Sequence, residues 1–466
     1  MKINIIIDSP RRDLRGHLFL ASILSRKYDV YLIYNYHLFE IFLNKPDLVI
    51  FHNCRPMHHQ YLNICKDIGI KTAILDTEGA QLGPNNEDLK YFASVVKDSY
   101  YLYDLYFLWG QRQLLEIEKN LNKDQLNKKF FITNNPRFDL YKKENRKFIK
   151  IIKKNTKIIV FNTNFAWVSP RYTSIKQELD VGVSEFYNDT KKAYIKLESE
   201  RKLYYRFIDT IEYVSSNFPD FKIIINPHPF ESNLQYKKIS KKYKNIFVFR
   251  DIFLPKLLLN ADYIISYNCQ TCVDSFFLDK KTISINYIDE NNSLSDYFRE
   301  ICLNVEKKEN LFSIMLNQDQ DNYNLENFNI KHLFENKNAA DEIYNIIDKF
   351  FKDNGILKNY NFKNKLKLLK LIFFNKGNSG YRVKLKLFYL SGLVKLILIF
   401  LFGLRRFFEI KALFLNNYKT KKTNINFINS NIELYCTSKF IVENPKSQIF
   451  KIIFGNLSSF KIIRKS

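Results

Sequence analysis

Glycine and proline are scarce in this 466-residue chain, at 12 and 11 residues, which excludes a collagen-like or low-complexity architecture. No Gly-rich dinucleotide loop and no P-loop occurs, which argues against a dehydrogenase or an ATPase. The six cysteines (Cys54, Cys65, Cys269, Cys272, Cys302 and Cys436) lack the spacing of a disulfide framework, so a reduced, cytosolic compartment is expected. A secretory signal is not read at the start, because Met1-Lys2-Ile3-Asn4-Ile5-Ile6-Ile7 meets Asp8 too soon for an apolar signal core. Hydrophobic residues make up 46% and aromatics 16%, ample material for a core, so a disordered chain is excluded.

Acidic residues all but vanish toward the end. From Lys358 to Ser466 there are 22 basic residues and only Glu409, Glu433 and Glu443, so this stretch holds +19 of the formal +25. A catalytic body followed by a cationic tail fits that distribution better than a uniformly basic nucleic-acid binder, and no RNA- or DNA-binding motif occurs. The tail contains the longest apolar run, Leu387 to Leu404, interrupted only by Lys395. At 100° per residue, Lys384, Ser391, Lys395, Arg405, Arg406 and Glu409 fall within roughly one 100° arc. That pattern predicts a helix lying in a membrane interface, lysines toward anionic headgroups and Phe/Leu toward acyl chains. A helix packed on protein and a true span, for which about 20 apolar residues are needed, are the alternatives. Together with the missing signal, the tail predicts a cytoplasmic protein peripheral on the inner face of the cell membrane.

Along the chain, short apolar runs alternate with helical stretches. Ile3–Asp8, Asp29–Asn35, Asp47–Asn53, Lys71–Gly79, Tyr106–Gly110 and Lys129–Pro136 read as one series of strands. After a Lys-rich connection at Lys142–Lys154, a second series follows: Lys157–Phe165, Phe221–Glu231, Asn245–Asp251, Ala261–Asn268 and Lys281–Tyr287. A long helical region covers about Ser174 to Phe218. Such βαβ units predict an α/β protein of two Rossmann-like, doubly wound domains facing one cleft, with a basic, partly helical C-terminal extension. The expected boundaries are 1–147, 148–352 and 353–466.

In open parallel sheets ligands bind beyond the carboxyl ends of strands, so polar residues there are the informative ones. Asp76-Thr77-Glu78-Gly79 follows the apolar KTAIL and can place an acid in a cleft, as general base, nucleophile or grip on sugar hydroxyls. Ordinary capping acids of a helix are the alternative. Asn226-Pro227-His228-Pro229-Phe230-Glu231 follows FKIII, and the flanking prolines fix the direction of His228, which can donate to a phosphate or protonate a leaving group. A structural turn is the alternative. Ser266 to Ser275 is a small-polar turn opening a helix, whose free N–H groups suit a phosphate, with Asp274 one turn in to accept from a ribose hydroxyl; plain helix capping is the alternative. Cys269-x-x-Cys272 has no second pair for zinc, the His52, Cys54, His58, His59 group reads as a polar loop, and Asp319-Gln320-Asp321 sits in a polar stretch away from any strand end. No metal and no cofactor are expected.

Several of these stretches occur in the order of a known family. Arg11-Arg12-Asp13-Leu14, Leu75 to Gly79, Thr133-Asn134-Asn135-Pro136-Arg137-Phe138-Asp139, Asn162-Thr163-Asn164-Phe165, Pro227 to Glu231 and Tyr267 to Thr271 resemble the bacterial surface carbohydrate biosynthesis proteins, predicted glycosyltransferases of the GT-B kind. The chain is more distantly similar to the CMP-Kdo-using transferases of capsule and lipopolysaccharide assembly. Asn134 stands where that family usually has Gly, Asn226 where it has Arg, and Asp274 where it has Glu. The resemblance covers roughly residues 1–350.

It implies a metal-independent glycosyltransferase that moves a sugar from a nucleotide-sugar, possibly CMP-linked, to a growing cell-surface polysaccharide or lipopolysaccharide. Donor-binding residues would be Asn164, His228, Glu231, Asn268, Cys269, Gln270, Thr271 and Asp274, and catalytic residues Asp76, Glu78 and His228. Partners would be the donor, a glycan or lipid-linked glycan acceptor and an anionic membrane surface contacted through 358–466, with no nucleic acid. A polyol-phosphate transferase using a donor such as CDP-glycerol, or a non-catalytic assembly protein keeping the fold, are the alternatives.

Overall fold

A computed structural model describes residues 1–9, 12–35, 41, 46–79, 87–126, 129–149, 156–183, 189–250, 254–289, 294, 296–316, 338–355, 440–443 and 459–464. They divide into two compact units, one within 1–79, 91–140 and 331–466, the other within 80–90 and 141–330. Both are Rossmann-like α/β units built on parallel sheets, as the alternation of short apolar runs and helices predicts.

The first unit contains β1 (Lys2–Ile7), β2 (Asp29–Tyr34), β3 (Leu48–Phe51), β4 (Lys71–Leu75), β5 (Leu105–Leu108) and β6 (Phe130–Ile132), parallel and in the order β2-β1-β3-β4-β5-β6. Its strands are apolar on both sides because each face is covered. Ile3, Ile5 and Ile7 point to one core with Val30, Leu48, Ile50 and Phe107, whereas Ile6 points to the other with Val49, Phe51, Tyr106 and Leu108. The period of two in β1 distributes the strand between two hydrophobic layers.

The helix Leu14–Leu24 lies on the first of these layers and crosses the short helix Pro136–Asp139 at close range. Gly16 makes that approach possible: a Cβ there would sit 2.7 Å from the backbone N of Arg137 and 2.8 Å from its Cα. A second helix, Ala339–Asn354, joins the same layer through Ala340, Ile343, Ile347 and Phe351, at the 3–4 spacing of one helical face. This helix follows the second sheet in the chain and packs on the first. The buried Asp139 carboxylate accepts from the N–H groups of Ala339 (3.0 Å) and Ala340 (2.8 Å), satisfying donors that a helix start leaves open.

In the C-terminal extension, beyond the helix that ends at Asn354, the described residues include two strands. β13 (Phe440–Glu443) and β14 (Ser459–Arg464) pair antiparallel with each other, and β14 pairs antiparallel with β2, Phe460 opposite Leu32. They cover what would otherwise be an unpaired sheet edge. The amphipathic stretch 363–409, including 387–404, lies outside the described residues. Among those described, no helix is long and apolar enough to cross a membrane.

The second unit contains β7 (Ile158–Asn162), β8 (Lys222–Asn226), β9 (Ile246–Val248), β10 (Tyr263–Ser266), β11 (Thr282–Ser284) and β12 (Leu303–Asn304), all parallel and in the order β9-β8-β7-β10-β11-β12. In the helical region read at 174–218 the described residues include the helices Ile175–Gly182 and Thr190–Asn217. The longer begins at Asp189, whose side chain accepts from the N–H groups of Lys191 and Lys192, and it buries Phe207 against Phe161 and Phe165.

Candidate functional site

Each sheet reverses its direction of winding once. In the first unit the chain steps from β1 to β2 on one side and then to β3 on the other, which makes the carboxyl ends of β1 and β3 a topological switch point. In the second unit the equivalent point lies at β7 and β10.

At the first switch point the loops after β1, β3 and β4 bring together a part-buried network of charged groups. Arg12 donates from Nη1 to Glu78 Oε1 (2.8 Å), from Nε to Asp13 Oδ1 (2.6 Å), and from Nη2 to Asp8 Oδ2 (3.2 Å) and Thr77 Oγ1 (2.9 Å). Arg55 donates to the other Glu78 oxygen at 2.7 Å. Burial raises the proton affinity of Glu78, but the two guanidiniums outweigh it and hold the carboxyl at about 2. Asp76, two residues earlier, differs. Its Oδ1 accepts from the Glu78 N–H (2.8 Å) and its Oδ2 from the Tyr106 hydroxyl (3.2 Å), yet burial dominates and its pKa is raised. Trp109 Nε1 (2.6 Å) and Asn135 Nδ2 (3.3 Å) donate to the Asp76 carbonyl and fix the turn. The two acids are thus shifted in opposite directions, Glu78 downward by its guanidiniums and Asp76 upward by burial.

Neighbouring histidines belong to this network. His58 lies within hydrogen-bond distance of Asn53 Oδ1 (2.8 Å) and Asn35 Oδ1 (3.2 Å), and His59 Nε2 of the Cys54 carbonyl (3.0 Å). His52 Nε2 stands 3.7 Å from Asp8. Among the described residues no group of three or more His, Cys, Asp or Glu side chains is placed to hold a metal ion. Asp319 and Asp321 lie outside the described residues. Asn134 has φ +67°, the left-handed conformation that glycine adopts freely and asparagine tolerates.

At the second switch point the loops converge on Thr163. Its hydroxyl donates to Glu231 Oε2 and accepts from the His228 N–H (3.2 Å), while its carbonyl accepts from the Cys269 thiol (3.9 Å). His228 and the Asn268–Thr271 turn are therefore both tied to one residue at the end of β7. Asn164 Nδ2 donates to the Asn268 carbonyl (2.9 Å), and Asn268 is held at φ +44°. His228 Nδ1 accepts from the Phe230 N–H at 3.3 Å, so in the neutral ring the proton resides on Nε2.

Glu231 is fully buried. Besides Thr163 it accepts from the Phe165 N–H (3.1 Å) and the Tyr236 hydroxyl, and burial raises its pKa against those donors. Arg250, which the sequence did not single out, donates to the carbonyls of His228 and Pro229 at 3.3 Å and to that of Glu231. Asn226 lies opposite Asn162 and donates to its Oδ1 (2.9 Å), and Asp274 is buried with its Oδ1 accepting from the Tyr141 hydroxyl (2.7 Å). Two buried amide donors, Asn162 Nδ2 and Gln270 Nε2, have no partner among the described residues. Thr271 donates to the Cys269 sulfur (3.2 Å). Of the expected site residues, the structure thus groups Asp76 with Glu78 in the first unit. In the second it groups His228, Glu231, Asn164, Asn268 and Cys269 around Thr163, with Gln270 and Thr271 continuing the same turn.

Comparison with solved structures gives the fold. An MnaA–UDP complex from S. aureus matches at TM-score 0.51 and 11% identity, covering 77% of this chain and all of that one. A UDP-N-acetylglucosamine 2-epimerase, so described for Listeria monocytogenes, matches at TM-score 0.50 and 9% identity, covering 77% of this chain and 99% of that one. No family model matches the sequence, and no curated protein matches it. The chain has a GT-B-like fold of two Rossmann-like domains.

Proposed function

We propose that this protein is a glycosyltransferase that moves a sugar from a nucleotide-sugar to a hydroxyl of a growing cell-surface glycan. The reading assigns the nucleotide to the second unit and the acceptor-side acid to the first. The observation that carries it is the unequal acid pair after β4: a buried Asp76 whose proton affinity is raised, two residues from a Glu78 held as an anion by Arg12 and Arg55. Two acids pushed apart in this way suit different tasks. Asp76 is the general base and takes the acceptor proton. Glu78 keeps Arg12 and Arg55 in place and accepts from sugar hydroxyls.

In the transfer the acceptor oxygen forms its bond to the anomeric carbon as the bond from that carbon to the donor phosphate oxygen breaks. The electron pair leaves with the phosphate, whose growing negative charge is met by the His228 Nε2–H and the N–H groups of the 268–271 turn. Glu231, Thr163 and Arg250 are positioning residues that fix the His228 turn without touching the donor. The cationic sequence after Lys358 serves attachment to an anionic membrane surface.

The test is turnover of CMP-, UDP-, GDP- and dTDP-sugars, and of CDP-glycerol, by the purified chain and by its Asp76→Asn variant. One sugar donor is expected to be consumed, with loss of about 10²–10⁴-fold on removing the base. Turnover of CDP-glycerol alone redirects the reading to polyol-phosphate transfer. Turnover of none refutes it.

A further inference from the structure

The helix Leu234–Lys242 follows β8 in the second unit and packs on β9, the edge strand of that sheet. Tyr236 and Ile239 are its buried residues. At 100° per residue these two mark one side, and Lys237, Lys241, Leu234, Lys238 and Lys242 fan in that order across roughly 140° of the other. All five are exposed, and Leu234, in the middle of the fan, is 69% exposed. No acid occurs between Ser232 and Phe249. Lys242 pairs with Glu212 of the helix Thr190–Asn217 (3.2 Å), whereas Lys237, Lys238 and Lys241 have no carboxylate at ion-pair distance among the described residues.

The long helix continues this surface. Its Tyr204 ring meets that of Tyr236, centroids 6.1 Å apart, and its Glu212 holds Lys242, so the two helices lie side by side. Tyr194, Tyr205 and Glu212 fall within about 20° of one line along the long helix. Both tyrosines are more than half exposed, as is Ile195. Of the acids on this side, Glu198 is paired with Arg201 (2.7 Å) and Glu212 with Lys242, which leaves Asp209. Lysines around exposed leucine and tyrosine suit a bilayer interface, where ammonium groups meet headgroup phosphates and apolar groups enter the acyl boundary. A headgroup layer supplies the anions that the chain itself withholds from three lysines. An acidic glycan or a nucleic acid would use the lysines and leave Leu234 in water.

We infer that this face of the second unit is a docking surface for an anionic lipid bilayer, with the lysines against the headgroups and Leu234 inserted between them. The inference does not depend on the transfer chemistry. Stable attachment takes two signals, and this face supplies one beside the cationic sequence after Lys358.

The experiment is sedimentation of the full chain with vesicles of phosphatidylcholine, with and without phosphatidylglycerol, over a range of lipid concentrations. Binding is expected only where phosphatidylglycerol is present. Each lysine near an anionic surface is worth about fivefold, so Lys237→Gln, Lys238→Gln and Lys241→Gln together should lower partitioning about a hundredfold. Leu234→Ser should lower it about tenfold. The four side chains are exposed, so the unfolding temperature of both variants is expected to match wild type. Leu234→Trp places a fluorophore in the middle of the face, and brominated phosphatidylglycerol should quench its emission beyond the quenching seen in wild type. Wild-type sedimentation of the triple lysine variant, or no added quenching in Leu234→Trp, overturns the inference. Lysine-dependent binding of soluble polyglutamate, with vesicle partitioning indifferent to Leu234→Ser, overturns it too and assigns the face to a soluble polyanion. Loss of sedimentation only when the lysines after Lys358 are changed overturns it as well and leaves that sequence as the attachment.

Discussion

Acid should weaken the first unit through His17. An exposed imidazole in the unfolded chain has a pKa near 6.5, while in the fold burial lowers it to about 4, helped by His52, Arg12 and Arg137 and opposed by Asp13. The unfolded chain then binds the proton first, so the contribution is fully present above pH 6.5 and is lost as pH falls through 4. A shift of that size corresponds to about 3 kcal/mol in total. Relative to pH 7, about 1 kcal/mol is gone at pH 5.5 and about 2 kcal/mol at pH 4.5. Urea unfolding of the wild type and of His17→Leu at these three values isolates the term, because titrations that do not interact with His17 cancel in the difference. Trp109, buried in the first unit, provides the fluorescence signal. The stability of the variant relative to wild type is expected to rise by those amounts as pH falls. A difference that stays flat from pH 7 to pH 4.5 would mean that the ring is protonated in the fold or bonded to another group, and the neutral-imidazole argument fails.

Gly16→Ala should destabilise, although alanine ordinarily exceeds glycine in a helix by about 1 kcal/mol. The new Cβ meets the Arg137 backbone at 2.7–2.8 Å, and forcing the two helices apart costs about 1–3 kcal/mol in urea unfolding. Asp139→Ala leaves the Ala339 and Ala340 N–H groups buried without acceptors and should cost about 2 kcal/mol, with faster amide exchange along the helix Ala339–Asn354; Asp139→Asn, which keeps one carbonyl oxygen, should lose about half as much. For the tail, truncation at Lys358 is a poor probe because it also strips β14 from the edge of β2. Changing Lys363, Lys365, Lys367, Lys370 and Lys395 to Gln should instead abolish sedimentation with anionic liposomes at unchanged unfolding temperature, each charge contributing about 1 kcal/mol near the surface. Undiminished sedimentation would refute the attachment.

The strands were legible in the sequence because a parallel sheet covered on both faces demands apolar runs bounded by polar turns, and Ile3–Ile7 or Ile158–Asn162 satisfy that demand locally. The pairing of segments far apart in the chain was not. Residues 339–354 carry the 3–4 apolar spacing of a helix, but that spacing is the same whichever sheet the helix covers. What places it is the Asp139 carboxylate, 200 positions earlier, together with the apolar face of the helix Leu14–Leu24. The β14 strand pairs with β2 across more than 400 residues, and its Lys- and Ile-rich sequence suited a membrane surface equally well.

The candidate site shows the same division. Residues that end strands at a switch point can be named from the sequence, because the apolar run stops where the polar loop begins: Asp76 after β4, His228 after β8, the 268–271 turn after β10. What each of them does depends on partners that the local pattern does not contain. Asp76 and Glu78 are chemically alike and two residues apart, and the motif alone does not say which has the higher proton affinity. Arg12 and Arg55, 66 and 23 positions away from Glu78, settle it by lying on that side chain, while Tyr106 covers Asp76. His228 and Glu231 are likewise three residues apart, and Thr163 and Tyr236 draw only the glutamate inward. The proton affinity of such an acid is therefore a property of the folded pairing and not of the motif.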